Sequence, residues 1–256
     1  LRSELESLGC RFRSRSDTEV VLNALAQWGP AALGRFDGMF ALAAWYSREG
    51  KLLLARDPMG MKPLYYTKLG DGFVFASEIK AFLVVKGFRA EINCNSLQQY
   101  LEFGYVFGEE DTSLAGVSKL PPGHAMEVVA GRAGQPYAFF SAPMSRGRDD
   151  APLENGVDEL HATLSEVVRQ HLVADVPVGL LLSGGLDSSI IAALAARHTR
   201  VTTISMGFAE SAIDERSFAG TVAAHIGSDH HEVLIQHREM VEDLSDVVWY
   251  FDDLFA

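Results

Sequence analysis

Cysteine is almost missing from this chain: only Cys10 and Cys94 occur among 256 residues. Two cysteines are too few for a disulfide framework, neither has a Cys-x-x-Cys partner, and both read as ordinary residues of a protein kept in a reducing cytoplasm. No apolar run approaches the roughly 18 residues that a membrane-crossing helix needs. No signal-peptide pattern is seen. Basic residues are scarce beside acidic ones, 22 against 34, for a formal net charge of −12. That balance disfavours nucleic acid and anionic membranes as general partners.

What is present suits a soluble globular chain of two ordinary domains, with 48% apolar and 22% charged residues. The most informative stretch is 178–190, Val-Gly-Leu-Leu-Leu-Ser-Gly-Gly-Leu-Asp-Ser-Ser-Ile. Val178 to Leu182 is an apolar run that predicts a strand buried on both faces. It breaks at Ser183-Gly184-Gly185, and a helical pattern runs from Ser188 to about His198. A strand, a glycine turn and a helix bring unpaired backbone N–H groups to an anion. Ser183, Ser188 and Ser189 add hydroxyl donors, so the stretch reads as a phosphate site. It lacks the lysine of the commoner loop, Gly-x-x-x-x-Gly-Lys-Ser/Thr. Asp187 stands there instead. A carboxylate beside phosphates is repulsive unless a divalent cation bridges them, so the loop implies Mg²⁺.

Ser-Gly-Gly-Leu-Asp-Ser-Ser resembles the pyrophosphate loop (PP-loop) of the ATP pyrophosphatase superfamily. Such enzymes cleave ATP between the α and β phosphates, adenylate a substrate oxygen and release pyrophosphate. The resemblance implies that Ser183, Gly184, Gly185, Asp187, Ser188 and Ser189 hold the pyrophosphate, with Asp187 on the metal.

The chain opens at Leu1 inside a helical pattern, not at a methionine, and stops at Ala256 without a terminal helix signal, so it reads as an internal piece of a longer protein. Leu1 to Leu8 predicts the tail of a helix. Ser16-Asp17-Thr18-Glu19 carries a capping-box pattern, Ser followed three residues later by Glu. The helix behind it buries Val20, Val21, Ala24, Leu25 and Trp28 and ends at Gly29-Pro30. On spacing alone, Asp17 is a first-turn carboxylate serving the helix dipole. From Gly38 to Glu78 the period is that of strands: Met39–Tyr46, Leu52–Arg56, Leu64–Leu69 and Phe73–Ser77, joined by hairpin-grade turns into an antiparallel meander. A short helix from Ile79 to about Val85 follows. In the 56–66 connection, Arg56 and Asp57 can pair with each other and fix the turn.

Ser16-Asp17-Thr18-Glu19, Gly38-Met39-Phe40-Ala41, the Arg56 to Tyr66 stretch and Phe75-Ala76-Ser77-Glu78-Ile79-Lys80 are similar, in order and spacing, to the glutaminase domain of glutamine-hydrolysing asparagine synthetases. With the pyrophosphate loop, the resemblance covers nearly all of the chain. It implies an α/β and α+β protein in two parts. The first is a truncated Ntn-type αββα glutaminase domain with antiparallel sheets, residues 1–140. A linker at 141–153 leads to a truncated, doubly wound parallel-sheet ATP pyrophosphatase domain at 154–256. In that family the aspartate matching Asp17 binds the α-amino group of glutamine, a role that suits a carboxylate.

The family's nucleophile, a cysteine at the mature N-terminus with its own α-amine as base, lies upstream of Leu1. So do the arginine that grips glutamine and an Asn-Gly-Glu segment. No catalytic nucleophile is therefore expected within these residues, and Cys10 and Cys94, being internal, do not replace it. The 256 residues alone are expected not to hydrolyse glutamine.

In the second half, Glu154 to Val173 predicts an amphipathic helix. Strands at 178–182, 201–206 and 231–235 alternate with helices at 188–198, 214–226 and about 238–250, which argues a parallel sheet with nucleotide across the carboxyl ends of its strands. By resemblance, Leu181, Met206 and Gly207 flank adenine, although buried strands need apolar residues in any case. His124 lacks a paired acid or nucleophile nearby in sequence. Asp229-His230-His231-Glu232 reads as a strand entry, because successive residues of a strand face opposite ways. Near the end the family commonly has Asp-Glu-Pro where this chain has Asp252-Asp253-Leu254, which places any substrate-side role of Asp253 in doubt.

The resemblance implies a ligase, a glutamine amidotransferase of asparagine and amino-acid biosynthesis. It would bind ATP with Mg²⁺, form a β-aspartyl-AMP intermediate, accept ammonia from glutamine and release AMP and pyrophosphate. Its partners would be glutamine, aspartate and ATP, with no nucleic acid or membrane, and a homodimer is compatible with it. The alternatives are a β-lactam-synthetase-like cyclase, a paralogue that amidates another acceptor, and an inactive nucleotide-binding fragment. The retained Asp17 favours the amidotransferase.

Overall fold

A computed structural model describes residues 1–142, 153–208 and 214–254. Two compact units are distinguished, Leu1–Met144 with Val248–Ala256, and Ser145–Val247. The linker expected at 141–153 falls almost wholly outside the described residues.

The first unit begins with α1 (Arg2–Ser7) and α2 (Asp17–Trp28), then a 3-10 turn at Gly29–Arg35. Two hairpins follow, β1 (Ala41–Tyr46) with β2 (Lys51–Arg56), and β3 (Tyr65–Leu69) with β4 (Gly72–Ala76). A second 3-10 turn, Ile79–Val84, leads to α3 (Cys94–Phe103), β5 (Val117–Lys119), β6 (His124–Val129), β7 (Arg132–Ala133) and β8 (Tyr137–Ala138). The expected meander is instead split between two sheets: β1-β2-β6-β7, with β8 also on β6, and β4-β3-β5. The split has a physical cause in the 57–63 connection. Asp57, 1% exposed, accepts backbone N–H groups from Phe40, Met59, Met61 and Lys62 at 2.9–3.3 Å. Arg56 donates to the carbonyls of Lys62, Leu120 and Gly60 at 2.7–2.9 Å. The two side chains do not pair with each other, as the sequence suggested. Each binds main chain, and together they fold the segment into a compact loop that carries the chain to the second sheet.

Strand alternation then sorts the cores. Leu53 and Ala55 point to one face, packing with Leu5, Leu25 and Leu33 of the helical layer. Leu54 points to the other, meeting Leu64, Leu120 and Met126 between the sheets. Tyr65 and Val117 turn to the outer face of the second sheet, against Ile79 and Phe82 of the 3-10 turn.

The second unit contains α4 (Leu153–His171), β9 (Gly179–Leu181), α5 (Leu186–Ala196), β10 (Thr202–Phe208), α6 (Arg216–Ile226), β11 (Asp229–Ile235) and α7 (His237–Glu242). The helix expected over 238–250 is broken, and α8 (Leu244–Phe251) is its second part. Strands β9, β10 and β11 form a parallel sheet in sequence order. Among the described residues that order runs one way without reversal. β9 is therefore an edge strand, not one buried on both faces: Leu182 is buried and Leu181 is 72% exposed. Val168, Leu194, Ala195 and Val201 join α4 and α5 to the sheet, and Leu182, Ala192, Ala219 and Ala223 join α5 to α6.

Candidate functional site

In the first unit, α2 starts where the chain can satisfy its free N–H groups. Ser16 caps it by accepting from Thr18 N–H at 3.2 Å. The reciprocal half of the expected capping box is absent. Glu19 reaches past Ser16 and accepts from Arg13 N–H at 2.8 Å, Ser14 N–H at 2.7 Å and the Ser14 hydroxyl at 2.7 Å. Those donors hold its carboxyl below the ordinary range. This fastening of residues 13–14 leaves Asp17 exposed at the helix start, its carboxylate accepting at 2.6 Å only from the adjacent Thr18 N–H, with longer contacts to the Ser16 and Thr18 hydroxyls.

Asp17 stands on the wall of a cavity of about 720 Å³ between α2 and β1. Met39, Phe40 and Trp45 supply apolar wall, and Lys62 reaches it from the 57–63 loop. Sequence reading did not single out Lys62, since only the folding of that loop by Arg56 and Asp57 brings it there. The cavity joins one acid, one base and apolar surface, a combination suited to a small zwitterion. His124 is away from it, with Nδ1 2.8 Å from the Pro122 carbonyl at the start of β6. Cys10 is partly buried beside the helical core and Cys94 begins α3.

In the second unit, the loop after β9 is built as a close-approach turn. Leu182 N–H donates to the Ile204 carbonyl at 2.8 Å, the last bond to the sheet. Gly184 follows with φ +82°, and Gly185 is the N-cap of α5. The hydroxyls hold the turn together: Ser183 and Ser188 Oγ are 3.0 Å apart, and Ser188 and Ser189 donate to the Gly185 carbonyl at 3.2 and 2.7 Å. Asp187 lies in the first turn of α5, exposed, and takes no side-chain hydrogen bond or ion pair among the described residues. The structure thus brings Ser183, Gly184, Gly185, Asp187, Ser188 and Ser189 into one turn at the carboxyl end of β9.

Met206 and Gly207 lie near the carboxyl end of the neighbouring β10, paired with Val233 and Leu234 of β11. Leu181 and Met206 are 72% and 55% exposed within these residues. Arg216, absent from the sequence reading, lies across Gly207, with its guanidinium 2.6 Å from Asp214 and 3.8 Å from Glu232. No local pattern announces that contact, because α6 must first dock on the sheet. His230 is turned into the sheet, within 2.8 Å of Thr203 Oγ1 and 3.3 Å of Ser205 Oγ, whereas His231 is exposed. As the strand period requires, they do not converge. Among the described residues no cluster of three or more His, Cys, Asp or Glu side chains is arranged to hold a metal. Nor is any helix there long and apolar enough to cross a membrane.

A family model described as "Glutamine amidotransferase domain" matches residues 1–138, and one described as "Asparagine synthase" matches 159–256. Asparagine synthetase [glutamine-hydrolyzing] 1 of Bacillus subtilis is 36% identical over 260 residues, covering 100% of this chain and 40% of that protein. A putative asparagine synthetase [glutamine-hydrolyzing] of Mycobacterium tuberculosis is 36% identical over 267 residues, with the same coverage of 100% and 40%. Asparagine synthetase B [glutamine-hydrolyzing] of Escherichia coli is 28% identical, covering 94% of this chain and 41% of its own length. The chain therefore spans about 40% of the length of these relatives. A solved glutamine-dependent NAD+ synthetase from Acinetobacter baumannii aligns with a TM-score of 0.32 at 14% identity, over 93% of this chain and 59% of that one, a likeness that carries no argument.

Proposed function

The chain belongs to the family in which a glutamine amidotransferase domain precedes an asparagine synthase domain, and from that premise we propose that it serves ATP-dependent, glutamine-hydrolysing synthesis of asparagine. The observation that carries the reading is the turn at 183–189, where glycine backbone and three serines surround the start of a helix beside an unpartnered carboxylate. On this reading residues 1–140 are part of an Ntn-type αββα glutaminase domain. Residues 154–256 are part of a doubly wound PP-loop domain, with 141–153 linking them.

A carboxylate resists ammonia because its leaving group would be oxide. Adenylation turns that oxygen into part of AMP, which leaves readily. The aspartate side-chain carboxylate attacks the α-phosphorus of ATP, pyrophosphate departs, and ammonia then displaces AMP from the β-aspartyl adenylate. The serine hydroxyls and the free N–H groups of the α5 terminus stabilise charge developing on the departing pyrophosphate. Leu181, Met206 and Gly207 offer adenine an apolar shelf at the strand ends. Asp187 alone would be an incomplete metal site, yet one carboxylate with substrate phosphates is a common Mg²⁺ set. Mg²⁺ bound there would neutralise phosphate charge. Asp17 holds the α-amino group of glutamine in the cavity of the first unit.

The test is pyrophosphate release by the full-length protein with ATP, Mg²⁺ and aspartate. Asp187→Asn is expected to abolish aspartate-dependent release while leaving the fold intact by circular dichroism. Undiminished release would overturn the assignment of the loop. Release that does not depend on aspartate would move the acceptor to another acid.

A further inference from the structure

Two buried carboxylates remain without a part in that chemistry. α8 is followed by Asp252, whose N–H donates to the Val248 carbonyl at 3.0 Å and whose φ is +66°. Few non-glycine residues adopt that conformation, and here it turns two consecutive carboxylates away from the helix. Asp252 accepts from the N–H groups of Ile79 and Lys80, the latter at 2.9 Å. Lys80 answers from the other side. Its ammonium donates to the Trp249 carbonyl at 2.7 Å, lies 3.5 Å from the Asp252 carboxylate and sits 5.0 Å from the Trp249 ring centroid. The carboxylate caps the N-terminal end of the 3-10 turn, and the ammonium caps the C-terminal end of α8. Each charge meets the helix end that favours it. Asp253 accepts from Ser113 N–H at 2.8 Å, and its Oδ2 lies 3.0 Å from Lys119 Nζ at an angle short of a hydrogen bond. Both carboxylates are 8% exposed.

All four partner residues fall within the amidotransferase match, whereas Trp249, Asp252 and Asp253 fall within the asparagine synthase match. The tail nonetheless belongs to the first compact unit. Burying two charged groups for adhesion alone is poor value, because apolar contacts of the same size do as well, and such pairs are better suited to fixing one arrangement. Ammonia released in one place and used in another is small and diffuses into water unless the chain between the two is held still.

We infer that Asp252 and Asp253 are positioning residues that fasten the end of the synthase segment to the Ile79–Val84 turn and to β5, and that this clasp couples ammonia release to its use. The inference rests on the functional reading above. In the full-length enzyme the comparison is between wild type and the double variant Asp252→Gly, Asp253→Asn, in which glycine keeps the positive φ free of strain. Three rates are read: glutamine hydrolysis, ammonia-driven synthesis and glutamine-driven synthesis, together with hydrogen exchange at the amides of Ile79, Lys80 and Ser113.

The expected result is a rise of about fivefold or more in glutamate formed per asparagine formed, the lower range of coupling between sites, with ammonia-driven kcat unchanged. Exchange at the three amides should quicken roughly tenfold, as for loss of a charged acceptor. Faster exchange with an unchanged ratio overturns the coupling, and unchanged exchange overturns the clasp. Equal loss of ammonia- and glutamine-driven synthesis reduces the pair to a fold requirement and overturns it also. If the double variant does not fold, Lys80→Met, which removes the ammonium from the Trp249 carbonyl and from Asp252, is compared by the same three rates and by exchange at Ile79 and Lys80. A wild-type enzyme that makes no asparagine overturns the functional reading, and the coupling with it, whatever the exchange rates.

Discussion

Gly184 rests against the first turn of α6, so closely that a Cβ there would stand 2.6 Å from Phe218 Cβ and 2.6 Å from the Ala219 nitrogen. Its φ of +82° makes any side chain strained in addition. Gly184→Ala is expected to destabilise the protein by about 2–4 kcal/mol, combining backbone strain with overpacking. Denaturant midpoints measure the loss, and calorimetric titration with ATP and Mg²⁺ should show weakened binding. A variant of wild-type stability would mean that the turn and α6 are not in contact.

Gly207 makes a different case, since its obstacles are the ends of two side chains, Arg216 and Asp214. Gly207→Ala should push the guanidinium aside and weaken its pairing with Asp214, a partly exposed pair worth about 0.2–1 kcal/mol. In an Arg216→Ala background the same substitution should cost less, since only the Asp214 carboxylate, 2.7 Å from the added Cβ, must then move. A double-mutant cycle of unfolding free energies checks this, and strict additivity would count against the contact.

Asp57 carries the loop that brings Lys62 to the cavity. Replacing it with asparagine turns one acceptor oxygen into a donor facing N–H groups that have no other partner among the described residues. A cost of about 2–4 kcal/mol is expected, by analogy with removal of a buried charged acceptor. Thermal unfolding measures it.

Tyr65, on the outer face of the second sheet, titrates abnormally. Burial first, then the nearby Asp253 and Asp252 carboxylates, push its phenol up to about 12 from 10.0. The folded value is the higher one, so the contribution is complete below pH 10 and is lost as pH rises towards 12. Stability should fall by about 2 kcal/mol over that window. Tyr65→Phe should flatten the step in alkaline denaturation curves. An unchanged step would assign it to another group.

Asp17→Ala tests the cavity. In glutamine-driven synthesis by the full-length enzyme the KM for glutamine should rise by about tenfold or more, as for a charged hydrogen bond removed. Ammonia-driven synthesis should be unaffected. Equal loss in both would separate Asp17 from glutamine.

Local chemistry determined much of this protein in advance. Gly184, Gly185 and three serines between an apolar run and a helical pattern marked the turn at 183–189, because its shape depends on bonds within seven residues. Ser16 marked the start of α2 for the same reason. The strands of the first unit were legible from their period, yet their division between two sheets was not. That depends on Asp57 finding the amide of Phe40, seventeen residues back, and on Arg56 finding the carbonyl of Leu120, sixty-four residues on. The capping box was half right, since Glu19 had nearer donors in Arg13 and Ser14 once the chain bent back over the helix. The run from Val178 to Leu182 predicts burial on both faces, yet only Leu182 is buried there and Leu181 is 72% exposed, because an apolar run carries no sign of what will cover it. Only tertiary structure decided that Lys62 faces Asp17's cavity, that Arg216 lies across Gly207, and that Asp252 caps a turn 173 residues away. A sequence encodes its periods and turns in neighbouring residues, whereas a carboxylate's partner is whichever N–H group the fold leaves unsatisfied beside it.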